Sequence, residues 1–140
     1  MTTAIDTNVL VALWDTDARL NTAAQKALDS AQERGTLVIS GAVYAELLAL
    51  PGRTETMLDE FVDVTAIRVD WEASEGIWRT AGKAFQGYVD RRNRKKEELP
   101  RRILADFFIG AHASLHRFRL MTLDRRLYRA AFPKLEIVTF

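Results

Sequence analysis

Four acidic residues lie within or directly after otherwise apolar segments of this 140-residue chain. They are Asp6, Glu46, Asp106 and Asp124. An ionised carboxylate that is buried without a partner loses several kcal/mol of hydration free energy. Each of these acids therefore needs a compensating positive charge or a cluster of hydrogen-bond donors.

Carboxylates that converge in space repel one another, and a divalent cation is the natural compensation. All-oxygen ligation selects Mg²⁺ or Mn²⁺ over zinc or copper. Such a site suits phosphodiester cleavage, because the cation can polarise a phosphoryl oxygen and activate water. We therefore expect Asp6, Glu46, Asp106 and Asp124 to form a Mg²⁺ or Mn²⁺ site.

Each acid taken alone has a simpler interpretation. Asp6 and Asp124 are both placed to cap the helix that follows them. Glu46 and Asp106 could each form a buried ion pair with an arginine. The metal-site hypothesis therefore depends on the four acids as a set.

The elements that must position these acids alternate along the chain. Short apolar runs predict strands over 3–6, 36–40, 65–69, 119–123 and 135–139. Helical spacing and terminators predict helices over 18–34, 43–50, 54–63, 71–92, 103–115 and 124–131, with a helix or turn over 9–14. This alternation predicts one α/β domain over 1–140, a three-layer α/β/α fold with a central, mainly parallel sheet.

The predicted topology brings the acids towards one edge of that sheet. Asp6 and Asp124 follow strands, and the carboxyl ends of parallel strands share one crevice. Gly41 and Pro100 upstream are expected to place Glu46 and Asp106 near the starts of their helices.

Composition narrows the possible chemistry. The chain has no cysteine, which excludes disulfides, thiolate zinc sites and cysteine nucleophiles. No apolar run approaches the ~20 residues that span a bilayer, and no basic segment precedes an apolar one at the N-terminus. We expect a cytoplasmic protein without a membrane partner.

The net charge of +1 hides an uneven distribution. Residues 1–70 carry five basic and eleven acidic side chains, whereas residues 71–140 carry fifteen basic and eight acidic ones. The basic half could face a polyanion, or it could be an ordinary solvated surface.

Together these segments resemble the PIN-domain nucleases, and within them the VapC toxins of bacterial toxin–antitoxin pairs. The resemblance covers nearly the whole chain. It is carried by residues 5–10, by Ile39-Ser40 with Glu46-Leu47, by residues 106–113, and by residues 120–124 followed by Tyr128 and Phe132-Pro133. Asp-Thr-Asn alone is common, but the order and spacing of the four segments are fairly specific.

The resemblance implies roles for particular residues. The four acids would form the metal site, directly or through water, and Asn8 and Thr122 would orient carboxylates or the scissile phosphate. Thr7 fills a position where the family accepts Ser or Thr. Arg126 stands where many relatives have a further acid, so occupancy by two metal ions is not implied for this chain.

The resemblance also implies an activity and partners. Water would attack an RNA phosphodiester in line and leave 5′-phosphate and 3′-hydroxyl ends. The substrates would be structured RNAs such as tRNA or rRNA, and the partners would be a cognate antitoxin and a second copy of the chain. The basic run over 91–96 and Arg101-Arg102 would contact RNA phosphates, or would be a solvated segment.

Other hypotheses remain open at this stage. A non-catalytic binding module on the same fold would keep the acids as caps and ion pairs, and a PIN nuclease could have another role in RNA processing. A phosphoacceptor receiver domain is disfavoured, because no adjacent acidic pair follows the first strand. His112 and His116 have the spacing of a zinc pair on a helix, but no third ligand of matching type is near them in sequence.

Overall fold

Short parallel strands form the centre of the computed structural model, which describes residues 1–95 and 102–140. The strands are β1 (Thr3–Ile5), β2 (Leu37–Ser40), β3 (Arg68–Asp70), β4 (Arg119–Met121) and β5 (Ile137–Val138). Their order in the sheet is β3-β2-β1-β4-β5, and every neighbouring pair is parallel. The predicted α/β fold is confirmed, with a sheet that is parallel throughout the described residues.

Seven helices connect the strands within the described ranges. They are α1 (Thr7–Leu13), α2 (Ala18–Arg34), α3 (Gly41–Leu48), α4 (Glu55–Thr65), α5 (Glu75–Lys95), α6 (Leu104–Leu115) and α7 (Arg125–Ala131). Several begin at a side chain that accepts a hydrogen bond from the first turn, which is the preferred chemistry of a helix N-terminus. These capping residues are Asp6, Asp17, Ser40, Thr54 and Asp124.

Several boundaries differ from the sequence prediction, most clearly those of β3 and α5. The predicted strand over 65–69 is shorter, because Thr65 ends α4 and Ala66 adopts a left-handed conformation (φ 58°) that closes the helix. The predicted helix over 71–92 begins only at Glu75, after the Ser74 hydroxyl accepts from the backbone N–H of Ile77. Trp71 therefore lies in a connection. Lys96, Pro100 and Arg101 lie outside the described residues.

The strand order creates a switch point between β1 and β4. From β1 the chain proceeds to β2 and β3 on one side, and then crosses to β4 and β5 on the other. Right-handed crossovers place α1–α4 on one face and α5–α7 on the opposite face. Ligands of open parallel sheets bind at such a point, beyond the carboxyl ends of the strands.

Close packing fixes α6 against its neighbours. A Cβ atom added at Gly110 would lie 2.2 Å from the ring of Phe132, so only glycine allows this approach. The helices α5 and α6 run antiparallel, since Gly76 faces Leu115 whereas Tyr88 packs on Phe107. The basic end of α5 therefore lies near the first turn of α6.

The core fills both faces of the sheet. Strands β1, β2 and β4 are buried along their full length. None of the described helices combines the length and the apolar character that a bilayer crossing requires.

Candidate active site

All four acids line one cavity of about 410 Å³ at the carboxyl ends of β1 and β4. Asp6 follows β1, Asp106 lies in the first turn of α6, and Asp124 precedes α7. Glu46 reaches the cavity from α3. Residues distant in sequence therefore meet around one space, as the hypothesis requires.

Asp6 is the most buried of these acids, with 5% of its surface exposed. Its Oδ1 accepts from the backbone N–H of Thr7 at 2.7 Å, and its Oδ2 accepts from the Thr122 hydroxyl at 2.7 Å. Burial, with a smaller contribution from the charge of Asp106, raises the pKa of Asp6 to about 6. This carboxylate is thus costly to ionise unless a cation approaches it.

The hydroxyl of Thr122 connects three parts of the site. Besides donating to Asp6, it accepts from the backbone N–H of Asp124 at 2.9 Å and from the Asn8 side chain at 3.4 Å. The Asn8 carbonyl oxygen accepts from the backbone N–H of Leu123 at 3.0 Å. Asn8 and Thr122 therefore join the start of α1 to the end of β4 beside the acids.

Glu46 occupies a different place in its helix from the one expected. We expected it near the helix start, but α3 begins at Gly41 and Glu46 lies in its last turn. Its Oε1 accepts from the Thr7 hydroxyl at 2.6 Å. Contact between α3 and α1, rather than the helix start, directs this carboxylate into the cavity.

Asp106 is half-buried, and its carboxylate forms no ion pair with a residue that the structure describes, although a hydrogen bond from the backbone N–H of Ile103 lowers its pKa. Burial raises its pKa, and the charges of Glu46 and Asp124 act in the same direction. Arg102 opposes them from a distance. A cation close to Asp106 would offset both its burial and the repulsion from its neighbours.

Asp124 has two partners. Its Oδ2 lies 2.6 Å from Nη1 of Arg102, and the two side chains are only 24% and 28% exposed. Its Oδ1 accepts from the backbone N–H of Leu127 at 3.4 Å, which caps α7. The capping interpretations of Asp6 and Asp124 both hold, together with their position on the cavity.

Tyr128 is a polar residue of this site to which the sequence analysis assigned no role. Its hydroxyl is buried and has no hydrogen bond of good geometry to the described residues, although it lies close enough to Asp6 to feel its charge. Burial and the charges of Asp6 and Asp106 raise its pKa. The signal was its position four residues after Asp124, which places both on one helix face.

These donors fit a hard divalent cation. Five acids, including Asp15 at the rim, line the cavity, and Arg102 is the single basic residue among its described lining. The available donors are carboxylate oxygens, which suit Mg²⁺ or Mn²⁺. The acids line an open crevice rather than a closed cage.

Comparisons with known proteins agree with this architecture. The PIN domain family matches residues 3–133. Among solved structures, VapBC2 from Rickettsia felis bound to a promoter DNA fragment contains a similar chain, with a TM-score of 0.71, 19% identity, and coverage of 99% of this chain and 98% of that one. VapBC-1 from nontypeable Haemophilus influenzae matches with a TM-score of 0.68, 18% identity, and coverage of 99% and 98%.

A toxin–antitoxin complex from Klebsiella pneumoniae is also similar. Its TM-score is 0.60 and its identity 23%, and the match covers 98% of this chain and 96% of that one. At these identities the structures show a shared fold. No curated protein matches the sequence.

Proposed function

This chain belongs to the PIN-domain family, and on that premise we propose that it is a Mg²⁺- or Mn²⁺-dependent endoribonuclease, the toxin of a toxin–antitoxin pair. One observation carries the proposal: the half-buried Asp106, which has no ion pair with a described residue, shares a cavity with Asp6, Glu46 and Asp124. Such an arrangement is unfavourable without a cation and suited to one.

Each residue has a distinct part in this proposal. Asp6, Glu46, Asp106 and Asp124 would hold the cation, directly or through water. When bound, the cation lowers the pKa of water and neutralises charge that develops on the phosphodiester. Asn8 and Thr122 keep Asp6 and the end of β4 in position through the hydrogen bonds at the Thr122 hydroxyl.

RNA as the substrate is supported by charge near the crevice. The last turn of α5 carries Arg92, Arg94 and Lys95, and this end of α5 lies near the turn of α6 that contains Asp106. Basic side chains beside an acidic centre can bind the phosphates that flank a scissile bond. Structured RNAs such as tRNA or rRNA are the proposed substrates.

The test is cleavage of purified tRNA or rRNA by the metal-free protein after addition of Mg²⁺ or Mn²⁺. We expect products with 5′-phosphate and 3′-hydroxyl ends. Asp106→Asn and Asp6→Asn should each lower the rate at least 100-fold, in the range found when one group of an electrostatic site is removed. Asp63→Asn, at an exposed position of α4, should cleave normally.

Two outcomes would contradict this proposal. One is full activity in both crevice variants, and the other is cleavage that persists in excess chelator. Circular dichroism of each variant separates loss of chemistry from loss of fold.

A toxin role and an antitoxin partner are supported by the similar structures, which are VapBC proteins and a toxin–antitoxin complex. Expression of the chain alone should arrest growth, and Asp6→Ala should relieve the arrest. Growth without arrest at a confirmed level of soluble protein would count against the toxin role. A homodimer is also proposed, and sedimentation equilibrium of the purified chain tests it.

A non-catalytic binding module is favoured by one contact, the ion pair between Arg102 and Asp124. In that case the guanidinium of Arg102, rather than a metal ion, would balance the negative charge of the crevice. Titration calorimetry that detects no Mn²⁺ binding, with an unchanged melting temperature when metal is added, would select this alternative.

A further inference from the structure

A second cluster of metal-ligating side chains lies where β3 meets α6. Asp70 ends β3, while His112 and His116 lie four residues apart, within α6 and at its end. His112 Nε2 is 2.9 Å from Asp70 Oδ2, and His116 Nε2 is 3.8 Å from the same oxygen. Glu72 Oε2 approaches His116 Nε2 to 3.0 Å. The third ligand that the sequence did not reveal is therefore supplied by β3.

The three side chains form a compact cluster that is buried at His112 and accessible to solvent at Asp70 and His116. One ligand atom from each of Asp70, His112 and His116 lies within 4.8 Å of the other two. Ligands of a tetrahedral zinc ion at about 2.0–2.1 Å are separated by roughly 3.3 Å, so modest side-chain rotations would bring these atoms onto one ion. His112 is 1% exposed, whereas Asp70 and His116 are 20% and 26% exposed, which leaves a path for entry.

The backbone of α6 fixes the orientation of one imidazole. Nδ1 of His116 lies 2.9 Å from the carbonyl oxygen of His112, and a carbonyl can only accept a hydrogen bond. Nδ1 therefore carries a proton, and Nε2 presents either a lone pair or a second proton to Asp70 and Glu72. A backbone carbonyl that holds the remote ring N–H is the usual support for a metal-bound histidine.

A neutral His116 with its proton on Nδ1 would direct the Nε2 lone pair at the Glu72 carboxylate, 3.0 Å away, which is repulsive. A proton or a metal ion between these atoms removes the repulsion. Two imidazoles with one or two carboxylates form a common zinc ligand set.

The geometry points to a binding site for a zinc-like divalent transition-metal ion at Asp70, His112 and His116, with Glu72 as a fourth ligand. It differs from the acidic crevice in its imidazole nitrogens, which suit zinc rather than magnesium. His112 follows Asp106 by six residues, about 9 Å along α6. An ion bound here joins the edge strand β3 to the helix that carries Asp106.

Co²⁺ is the probe for this site, because it occupies zinc sites and absorbs visible light when bound to nitrogen and oxygen. The metal-free full chain is titrated with Co²⁺ in the presence of excess Mg²⁺, which is added to compete for the crevice. We expect one equivalent to produce a visible band that Zn²⁺ then abolishes. His116→Gln and Asp70→Asn should weaken Co²⁺ binding at least tenfold, and Asp106→Asn should keep the band.

A melting curve makes the test independent of the band. Zn²⁺ should raise the melting temperature of the wild-type chain and should leave that of His116→Gln unchanged. His116 is partly exposed, so this variant is expected to fold, and circular dichroism verifies it. The proposal is overturned if the wild-type chain shows no band, if His116→Gln keeps full affinity, or if the band depends on Asp106. In those cases Asp70, His112 and His116 interact only through hydrogen bonds and protonation, and they do not bind a metal ion.

Discussion

Asp106 and Asp6 are two carboxylates with different surroundings in one cavity. Asp6 receives two short hydrogen bonds, whereas Asp106 is stabilised by the backbone N–H of Ile103 and faces the charges of Glu46 and Asp124. Both nevertheless have a raised pKa, because burial outweighs the hydrogen bonds at Asp6. Without a cation, ionising the crevice therefore opposes folding.

This balance predicts a pH dependence for the metal-free protein. The pKa of Asp6 is about 6 in the folded state, whereas the ordinary value for an aspartate is 3.8. The folded state therefore binds the proton more tightly than the unfolded state. The free energy of unfolding therefore includes a contribution of roughly 3 kcal/mol from Asp6 below pH 4, and this contribution is lost as the pH rises through 6. Urea unfolding in chelator measures it. A saturating concentration of Mn²⁺ should remove the decline, and an equal slope with and without metal would contradict the prediction.

Arg102 supplies part of the positive charge that balances the four acids, through its ion pair with Asp124. Arg102→Gln removes the cation that faces Asp124 and should tighten Mn²⁺ binding about threefold to tenfold, or roughly 1 kcal/mol for a partly exposed pair. Titration calorimetry measures this, with Arg79→Gln, whose partner Glu75 lies on the surface of α5, as the control. Unchanged or weaker binding would show that Arg102 does not compete with the metal.

At the scale of elements, sequence patterns predicted strands and helices well where apolar periodicity was strong. Asp6 and Asp106 were placed correctly because each follows a local boundary signal. Glu46 was misplaced within its helix, because the Ser40 cap starts α3 two residues earlier than the apolar pattern suggested. Asp70 was missed, because it ends a weak edge strand and meets His112 only through tertiary packing.

Gly110 is the clearest element-level constraint on the site, since it sets how closely α6 approaches Phe132. Gly110→Ala should lower the free energy of unfolding by about 1–3 kcal/mol, because the new methyl group overlaps the ring. Gly82→Ala, on α5 with nothing within 4 Å of the added Cβ, should instead raise it by about 0.5–1 kcal/mol. Chemical denaturation compares the two. Equal effects would contradict the packing argument.

At the scale of the whole molecule, opposite charges lie side by side. An acidic cavity lies near the basic end of α5, so under the proposed function the attraction of a polyanion and the binding of a cation would belong to neighbouring surfaces. Long-range attraction of this kind weakens with ionic strength.

The affinity for RNA should therefore fall steeply with salt. Replacing both Arg94 and Lys95 by Gln should reduce the slope of log affinity against log salt by about 1–2, since each phosphate contact contributes about 0.7–0.9. Fluorescence anisotropy with chelated metal, so that no cleavage occurs, measures it. Arg68→Gln, at the start of β3 and away from the crevice, is the matched control. If the wild-type chain, the double variant and Arg68→Gln all gave the same salt dependence, RNA would not contact the basic end of α5.

The hydrogen bond between Thr122 and Asp6 joins residues separated by 116 positions, and it depends on the pairing of the first strand with the fourth. During synthesis on the ribosome, the first acid of the crevice is made long before its supporting hydroxyl. The crevice of the nascent chain therefore remains incomplete until residues 119–122 have left the exit tunnel and β4 has paired with β1.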